Sequence, residues 1–163
     1  MGALTDKSCA ATPFWEKPLE DLSQGEWEAL CDGCGNCCLH KLEDADTGAV
    51  YATDVACRLL DTATAQCTDY ANRKAMVPDC IRLTRATAGT LSWLPQTCAY
   101  RLRARGESLP HWHYLVCGDR DAVVREGVSV AGRVISENDA GPIEEHVMID
   151  GFDLVRAGDR DDC

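Results

Sequence analysis

The chain has 163 residues, of which 11 are cysteine, and its formal net charge is -11 at pH 7. A chain of this length is most economically a single domain, and its acidic character argues against a general affinity for nucleic acid or anionic membranes. The hydrophobic fraction of 45% includes the cysteines, so we expect a small apolar core that needs a metal or disulfides for stability.

The sequence also indicates a compartment. Residues 1–12 are predicted to form a flexible N-terminal tail, and they lack the apolar segment of a secretory signal. No stretch approaches the roughly 18 apolar residues of a transmembrane helix. We therefore expect a cytoplasmic protein without membrane contact, in which thiols stay reduced and clustered cysteines hold metal more often than they form disulfides. A disulfide scaffold is the alternative in an oxidising compartment.

A first helix is predicted to begin after Ser23, because Ser23 and Glu26 have the spacing of a capping box. We expect this helix to carry Cys31 and Cys34 along one side. The glycines between the cysteines are expected to loosen its end and to free backbone amides that point at sulfur. The first thiols would then lie at a helix terminus and the later ones on a turn.

The remaining elements are predicted to be short. A turn at 46–48 before an extended segment at 50–53 indicates a small hairpin, and a proline in the opening turn favours a helix over 94–102. The overall expectation is an α+β fold: a small, irregular single domain of mainly short helices around a cysteine-rich metal centre. A minor β component would follow residue 122, from segments 123–124 and 128–135, with a short helix over 143–148.

Three parts of the chain are distinguished on this basis. They are the flexible tail 1–12, a cysteine-cluster metal-binding domain over 13–135, and an acidic C-terminal extension over 136–163 whose last residues are predicted to be disordered.

The stretch Cys31-Asp32-Gly33-Cys34-Gly35-Asn36-Cys37-Cys38 places four thiols within eight residues. A hydrophobic core does not need this arrangement. Thiolates at Cys-x-x-Cys spacing bind zinc or iron, because the two-residue spacer lets both sulfurs turn towards one centre. The stretch therefore predicts a metal or cluster site.

The number of thiols exceeds what one metal needs. Outside the tails there are nine cysteines, whereas one zinc or one four-iron cluster takes four ligands. Cys98 and Cys117 are the best candidates for buried, non-ligating thiols. Adjacent side chains diverge, so Cys38 is expected to face a second metal, to bridge two metals, or to bond elsewhere. A polynuclear site or two nearby sites fits better than a single zinc.

The eight-residue stretch is followed by Cys57-Arg58-Leu59-Leu60, Cys67-Thr68-Asp69-Tyr70 and Asp79-Cys80-Ile81-Arg82-Leu83. This pattern resembles the CxxCxxCC cysteine-cluster family of zinc- or iron-chelating bacterial proteins. Further matches at 14–15, 26–30, 39–42, 93–102 and 109–113 resemble its YcgN-like branch, so that the likeness covers residues 13–120.

The resemblance implies zinc or iron, including an iron–sulfur cluster, as the cofactor. The ligands that it implies are Cys31, Cys34, Cys37, Cys38, Cys57, Cys67 and Cys80, with Cys98 as an eighth candidate.

Two histidines and one arginine are further candidates near this centre. His40 follows the motif and could ligate, although a surface role is the alternative. His113 is flanked by aromatic residues and either lines the site or is a buried, hydrogen-bonded histidine. Arg73 either balances the charge of several thiolates or makes a surface salt bridge.

Three functions from different classes remain open at this point. The first is a cytoplasmic metal-binding protein whose centre is structural or serves in zinc or iron handling. The second is an iron-dependent redox or modifying enzyme, although the sequence has no phosphate loop, G-x-S-x-G or H-E-x-x-H motif. The third is a metal-folded interaction module whose Arg-rich face, residues 82–105, meets a protein partner.

Overall fold

The computed structural model describes residues 11–148, which contain short helices and two small sheets. This composition confirms the predicted α+β class. Most of the predicted tail, the chain beyond 148, Cys9 and Cys163 lie outside the described residues. No helix within 11–148 is long and apolar enough to cross a bilayer. The helices are α1 (Gln24–Ala29), α2 (Arg73–Met76), α3 (Ala99–Ala104), α4 (Tyr114–Cys117) and α5 (Ala122–Arg125), and the strands are β1 (Leu39–Glu43), β2 (Val50–Ala56), β3 (Leu60–Asp61), β4 (Gln66–Cys67) and β5 (Ile135–Ser136).

Helix α1 begins as predicted. The Glu26 backbone amide donates to Ser23 Oγ at 3.1 Å, and the Ser23 amide donates to Glu26 Oε2 at 2.9 Å. This reciprocal pair satisfies two amides that the first helical turn leaves without partners. The predicted continuation of the helix to Cys34 is wrong, because Leu30 caps it. Gly33 follows at a φ of +75°, a left-handed conformation that an α-helix does not accommodate.

The predicted hairpin is confirmed. Strands β1 and β2 pair antiparallel, with an irregularity between Leu39 and Lys41. Asp44 closes the turn, since its Oδ1 accepts the amides of Asp46 at 2.9 Å and Thr47 at 2.8 Å. Strand β5 adds to β2 in parallel, and β3 pairs with β4 in a separate two-stranded ribbon. The hairpin and the ribbon place the later cysteines beside the motif.

The predicted β component after residue 122 is mostly wrong. Val123 lies in α5, and only Ile135–Ser136 of the segment 128–135 forms a strand. The apolar alternation there has another cause: the amides of Val128 and Ser129 both donate to the Val123 carbonyl in a turn. Val128, Ser129 and Val130 are all buried, so the apolar alternation of the sequence does not correspond to an alternation of buried and exposed positions.

The helix predicted over 94–102 begins later, at Ala99, and ends at Ala104. Pro95 disfavours a helical conformation of Leu94, and the Cys98 amide donates to the Pro95 carbonyl in a turn before the helix begins. Cys98 becomes the N-cap residue, and Gly106 follows the helix with a φ of +73°. The segment predicted as a short helix over 143–148 is a 3-10 helix, Ile143–His146.

The apolar core is divided into three small clusters, each of which packs against one cysteine. Cys98 packs on the cluster around Trp27 and Leu30, and Cys38 packs on the cluster around Leu39, Ala56, Leu60, Ala65 and Val130. Cys34 packs on the third cluster, Trp112, Ala122, Val123 and Val128. Each of the three clusters thus has a cysteine at its boundary.

Three arginines of the Arg-rich segment bind the chain itself. Arg85 donates to the carbonyls of Leu19, at 3.0 Å, and Leu22, at 2.6 Å. Arg101 is buried and donates to the Leu94 carbonyl, and Arg103 donates to the Glu107 carbonyl at 2.8 Å. These contacts join loops, so most of the predicted partner face is used in holding the fold together.

Candidate metal centre

The motif loop has a fixed backbone. Gly35 adopts a φ of +81°, and a Cβ atom there would lie 2.6 Å from Val130 Cγ2 and 3.0 Å from Ala65 Cβ. The Asn36 side chain is buried and donates to the Val128 carbonyl at 3.0 Å. The Val130 amide donates to the Cys34 carbonyl at 2.9 Å. Glycine is required at position 35 because the loop packs directly on the second core cluster.

Four cysteines form the first thiol group: Cys31, Cys34, Cys37 and Cys98. Burial raises the pKa of Cys31 to about 12 and that of Cys98 to about 11, and the charge of Cys37 contributes to both increases. Burial, followed by the charges of Asp32 and Cys37, also raises the pKa of Cys34. The charge of Cys37 acts on each of the other three thiols, which therefore lie within electrostatic range of Cys37. Cys98, predicted as an eighth ligand or a bystander, is a neighbour of the motif thiols.

The first thiol group is open to solvent. Cys31 and Cys37 are exposed by surface area, although the surrounding protein desolvates both thiols enough to raise their pKa values. The two observations agree for thiols that line a hollow, where protein atoms are close but solvent has access. Thiols with raised pKa values are protonated at neutral pH, so a cation that binds there must release protons.

Backbone amides favour the thiolate form in both parts of the centre. The Gly33 amide lowers the pKa of Cys31 and the Asn36 amide that of Cys34, in each case against the larger effect of burial. The Leu59 amide acts on Cys57 in the same way. In each pair the amide lies two residues after the sulfur. Such bonds orient and stabilise a metal-bound thiolate. They agree with the prediction that backbone amides near the motif glycines point at sulfur.

Cys57, Cys67 and Cys80 form the second thiol group. Burial raises the pKa of Cys57, and the charges of Glu137, Cys80 and Cys67 contribute in that order. The ribbon of β3 and β4 places Cys67 opposite Leu60. These three residues come from a hairpin end, a ribbon and a loop, and the fold gathers them at one place.

Cys38 lies between the two groups. Its carbonyl accepts the Cys57 amide at 2.9 Å, and its side chain packs on the second core cluster. The hydrogen bond between the two thiols is the largest influence on Cys37, whose pKa it raises because the protonated Cys37 thiol is the donor. Cys38 therefore touches the first group through its side chain and the second through its backbone.

The two candidate histidines differ. His113 is fully buried, its Nδ1 accepts the Leu115 amide at 3.1 Å, and its Nε2 lies 2.9 Å from the Leu30 carbonyl. Burial lowers the pKa of His113, and backbone groups engage both ring nitrogens. Of the two predicted alternatives, His113 is therefore the buried, hydrogen-bonded histidine. His40 Nε2 lies 2.9 Å from Glu137 Oε2, although without hydrogen-bond geometry. His40 is thus near the second thiol group.

The remaining residues include Arg73, which was predicted as a neighbour of the thiols, Lys41, which was not, and Cys117. Arg73 lies 3.7 Å above the Tyr70 ring and donates to the Tyr70 carbonyl at 2.6 Å. Lys41 is a cation within range of Cys37, and its charge lowers the pKa of Cys37 against the larger effects of Cys38 and burial. Cys117, predicted to be buried, is exposed at the end of α4, where its thiol donates to the Trp112 carbonyl at 3.1 Å.

Two carboxylates near the thiols were not among the predicted site residues. Asp32 lies inside the motif, and its presence between two cysteines was a signal that could have identified it. Glu137 lies beside the second group, where its Oε1 accepts the Arg58 amide at 2.7 Å. Glu137 belongs to the segment beyond residue 120, where the family resemblance gives no information.

The donor set suits zinc or iron, because thiolate sulfur is the ligand that both metals accept in clustered sites. Within residues 11–148, no three Cys, His, Asp or Glu side chains converge closely enough to hold a metal ion directly. Metal binding therefore requires rotation of the thiols or closure of the loops that carry them. Such coupling of binding to conformation is common in small metal-binding domains.

The fold and the two thiol groups define a small α+β protein built around clustered cysteines. The sequence model of the CxxCxxCC family, described as "Putative zinc- or iron-chelating domain", matches residues 30–99. A UPF0260 protein of Azotobacter vinelandii is 60% identical over 139 residues, which cover 83% of this chain and 93% of the relative. A UPF0260 protein of Rhizorhabdus wittichii is 55% identical over 83% of this chain and 94% of the relative. A UPF0260 protein of Pseudomonas fluorescens strain SBW25 is 61% identical over 90% of this chain and 96% of the relative.

The chain belongs to the UPF0260 family, which confirms the resemblance found in its sequence. No solved structure matches it.

Proposed function

We propose that this protein is a cytoplasmic metal-binding protein that chelates zinc or iron with two neighbouring sets of thiolates. One observation supports this proposal above all: the thiols of residues 31, 34, 37 and 98 and those of residues 57, 67 and 80 gather in two groups, and Cys38 lies between them. Scattered core cysteines would not assemble from five separate segments of the chain. The family description, zinc- or iron-chelating, agrees with it.

The chemistry of the two groups supports chelation more than catalysis. The first group supplies four thiols, the number that closes a structural zinc site or holds a four-iron cluster. The second group supplies three, and Cys38 lies beside it. The chain's own part in binding is to hold the thiols at the loop ends, to release their protons, and to direct the amides of residues 33, 36 and 59 at the sulfurs. The described residues provide no observation that favours the enzyme or the interaction module.

Anaerobic purification with metal, sulfide and visible-absorption analysis tests the proposal. We expect bound zinc, or bound iron with thiolate charge-transfer absorption; acid-labile sulfide would identify the iron as a cluster. A protein with reduced thiols and no tightly bound metal, even after incubation with zinc and with ferrous iron, would refute the proposal.

Two variants locate the metal. Cys98→Ser is expected to lower the metal content, because Cys98 lies within range of Cys31 and Cys37. Cys117→Ser is the matched control, since this exposed thiol bonds to a carbonyl of its own helix region. Equal metal content in both variants would exclude Cys98 from the centre.

A third variant tests the intermediate position of Cys38. If this thiol serves the second group or joins the two, Cys38→Ala lowers the metal content or the affinity of one class of site. A Cys38→Ala protein that retains its full metal content and affinity would show that this thiol ligates no metal.

A further inference from the structure

The side chain of Asp32 is only half satisfied by the protein. Its Oδ1 accepts the Cys34 amide at 2.9 Å, whereas its Oδ2 is buried and has no hydrogen-bond partner. A buried carboxylate oxygen without a partner is costly, because it loses its hydration and receives nothing in exchange. Such an atom persists where a ligand that is bound during function supplies the missing partner.

The surroundings of Asp32 favour a cation as that ligand. The carboxylate lies within electrostatic range of Cys31, Cys34, Cys37 and Cys98, and it disfavours a negative charge on the thiols of residues 31 and 34. A carboxylate beside several thiols opposes their ionisation, and a cation bound among them would offset this repulsion. The neighbouring ring of His113 is engaged on both nitrogens by backbone groups.

We propose that Asp32 is a metal ligand, which supplies one oxygen, Oδ2, to the cation held by the first thiol group. This inference rests on the proposed metal-binding function and deepens it. The first group then offers sulfur together with one carboxylate oxygen, a donor set that zinc and ferrous iron accept and that purely thiophilic ions such as Cu(I) favour less. Oδ1, which is held by the Cys34 amide, fixes the direction of the carboxylate.

A purely structural role makes a different prediction. If Asp32 only caps the Cys34 amide through Oδ1, then asparagine, whose carbonyl oxygen can accept the same hydrogen bond, replaces it without effect. Asp32→Asn therefore separates the two roles, since it keeps the cap and removes the charge and the anionic oxygen. Asp46→Asn is the matched control, because it makes the same change in net charge at an exposed turn of the hairpin.

The experiment uses the full chain, reduced and freed of metal. Cobalt(II) is added as a spectroscopic probe of thiolate binding, and zinc is then titrated in competition. For Asp32→Asn we expect the affinity of one class of sites to fall by about 10-fold or more, while the metal-free protein unfolds at an equal or higher denaturant concentration. Asp46→Asn is expected to match the wild type, and Cys57→Ser to weaken the other class of sites.

The outcomes are distinct. Wild-type protein that binds neither cobalt nor zinc would refute the proposed function itself. Wild-type binding that Asp32→Asn leaves unchanged would overturn only the role of Asp32 as a ligand. A metal-free Asp32→Asn protein that is less stable than the wild type would also overturn it, because the carboxylate would then have a stabilising partner within the protein. Asp32→Ala, which also loses the cap, should be less stable than Asp32→Asn.

Discussion

Replacement of Gly35 by alanine tests how the motif loop is held. The backbone at this position has a φ of +81°, and a left-handed conformation costs an alanine about 1–2 kcal/mol. The new methyl group would also lie 2.6 Å from Cγ2 of the fully buried Val130 and 3.0 Å from Ala65 Cβ. Relief of such overpacking costs about 1–3 kcal/mol. Together the two effects predict a loss of about 2–5 kcal/mol in the free energy of unfolding.

Equilibrium unfolding in denaturant, on reduced and metal-free protein, measures this loss. The matched control is Gly106→Ala, where φ is +73° but nothing lies within 4 Å of the added methyl group. The control should lose only the backbone part, about 1–2 kcal/mol. If both variants lose the same free energy, the packing of the motif loop on the second core cluster does not contribute, and the reasoning is refuted.

Two further predictions concern contacts outside the motif. Arg101→Ala should lower the free energy of unfolding by about 2–4 kcal/mol, because the buried guanidinium donates to the Leu94 carbonyl. The exposed control Arg105→Ala should change the free energy of unfolding by less than about 0.5 kcal/mol. Similar losses in both variants would contradict the role of Arg101. The Ala140 carbonyl and then the Asp54 carboxylate raise the pKa of His146. The protonated ring therefore stabilises the fold below about pH 6.5, and this contribution disappears as the pH rises through the folded-state pKa. We expect the difference in the free energy of unfolding between wild type and His146→Gln to shrink as the pH rises from about 5.5 to about 8.5. Denaturant unfolding measures it, and a constant difference would contradict the assignment.

Local sequence signals predicted the elements that local chemistry determines. The capping box of Ser23 and Glu26 needs only residues three positions apart, and the hairpin needs only a turn between two extended segments. The sequence predicted that α1 ends near the motif glycines, but it did not predict the residue at which the helix ends. Gly33 and Gly35 indicated a break, whereas the helix already ends at Ala29, with Leu30 as its C-cap. A Cβ atom at the two glycines would meet Gln66 of β4 and the second core cluster, contacts that only the folded chain shows.

Contacts between distant parts of the chain were not predictable from periodicity. The segment 128–135 alternates like a strand, yet it forms a turn whose buried valines belong to two different core clusters. The candidate site shows the same limit. The motif spacing identified the four thiols between residues 31 and 38. The proximity of Cys98 to Cys31, by contrast, depends on how α3 packs against α1. Glu137 reaches Cys57 only because β5 pairs with β2.

The contacts of the cysteines with the core clusters bear on whether a bound metal would stabilise the fold or would be taken up and released. Each cluster is too small to resemble the core of an ordinary domain of this length, and Cys98, Cys34 and Cys38 each pack on a different one. On the proposed function, a cation in the first thiol group joins the first and third clusters, and Cys38 extends the connection to the second. Metal binding and the cohesion of the fold then share one free energy. On this proposal the two roles are linked, because release of the metal would remove the connection that it makes between the clusters.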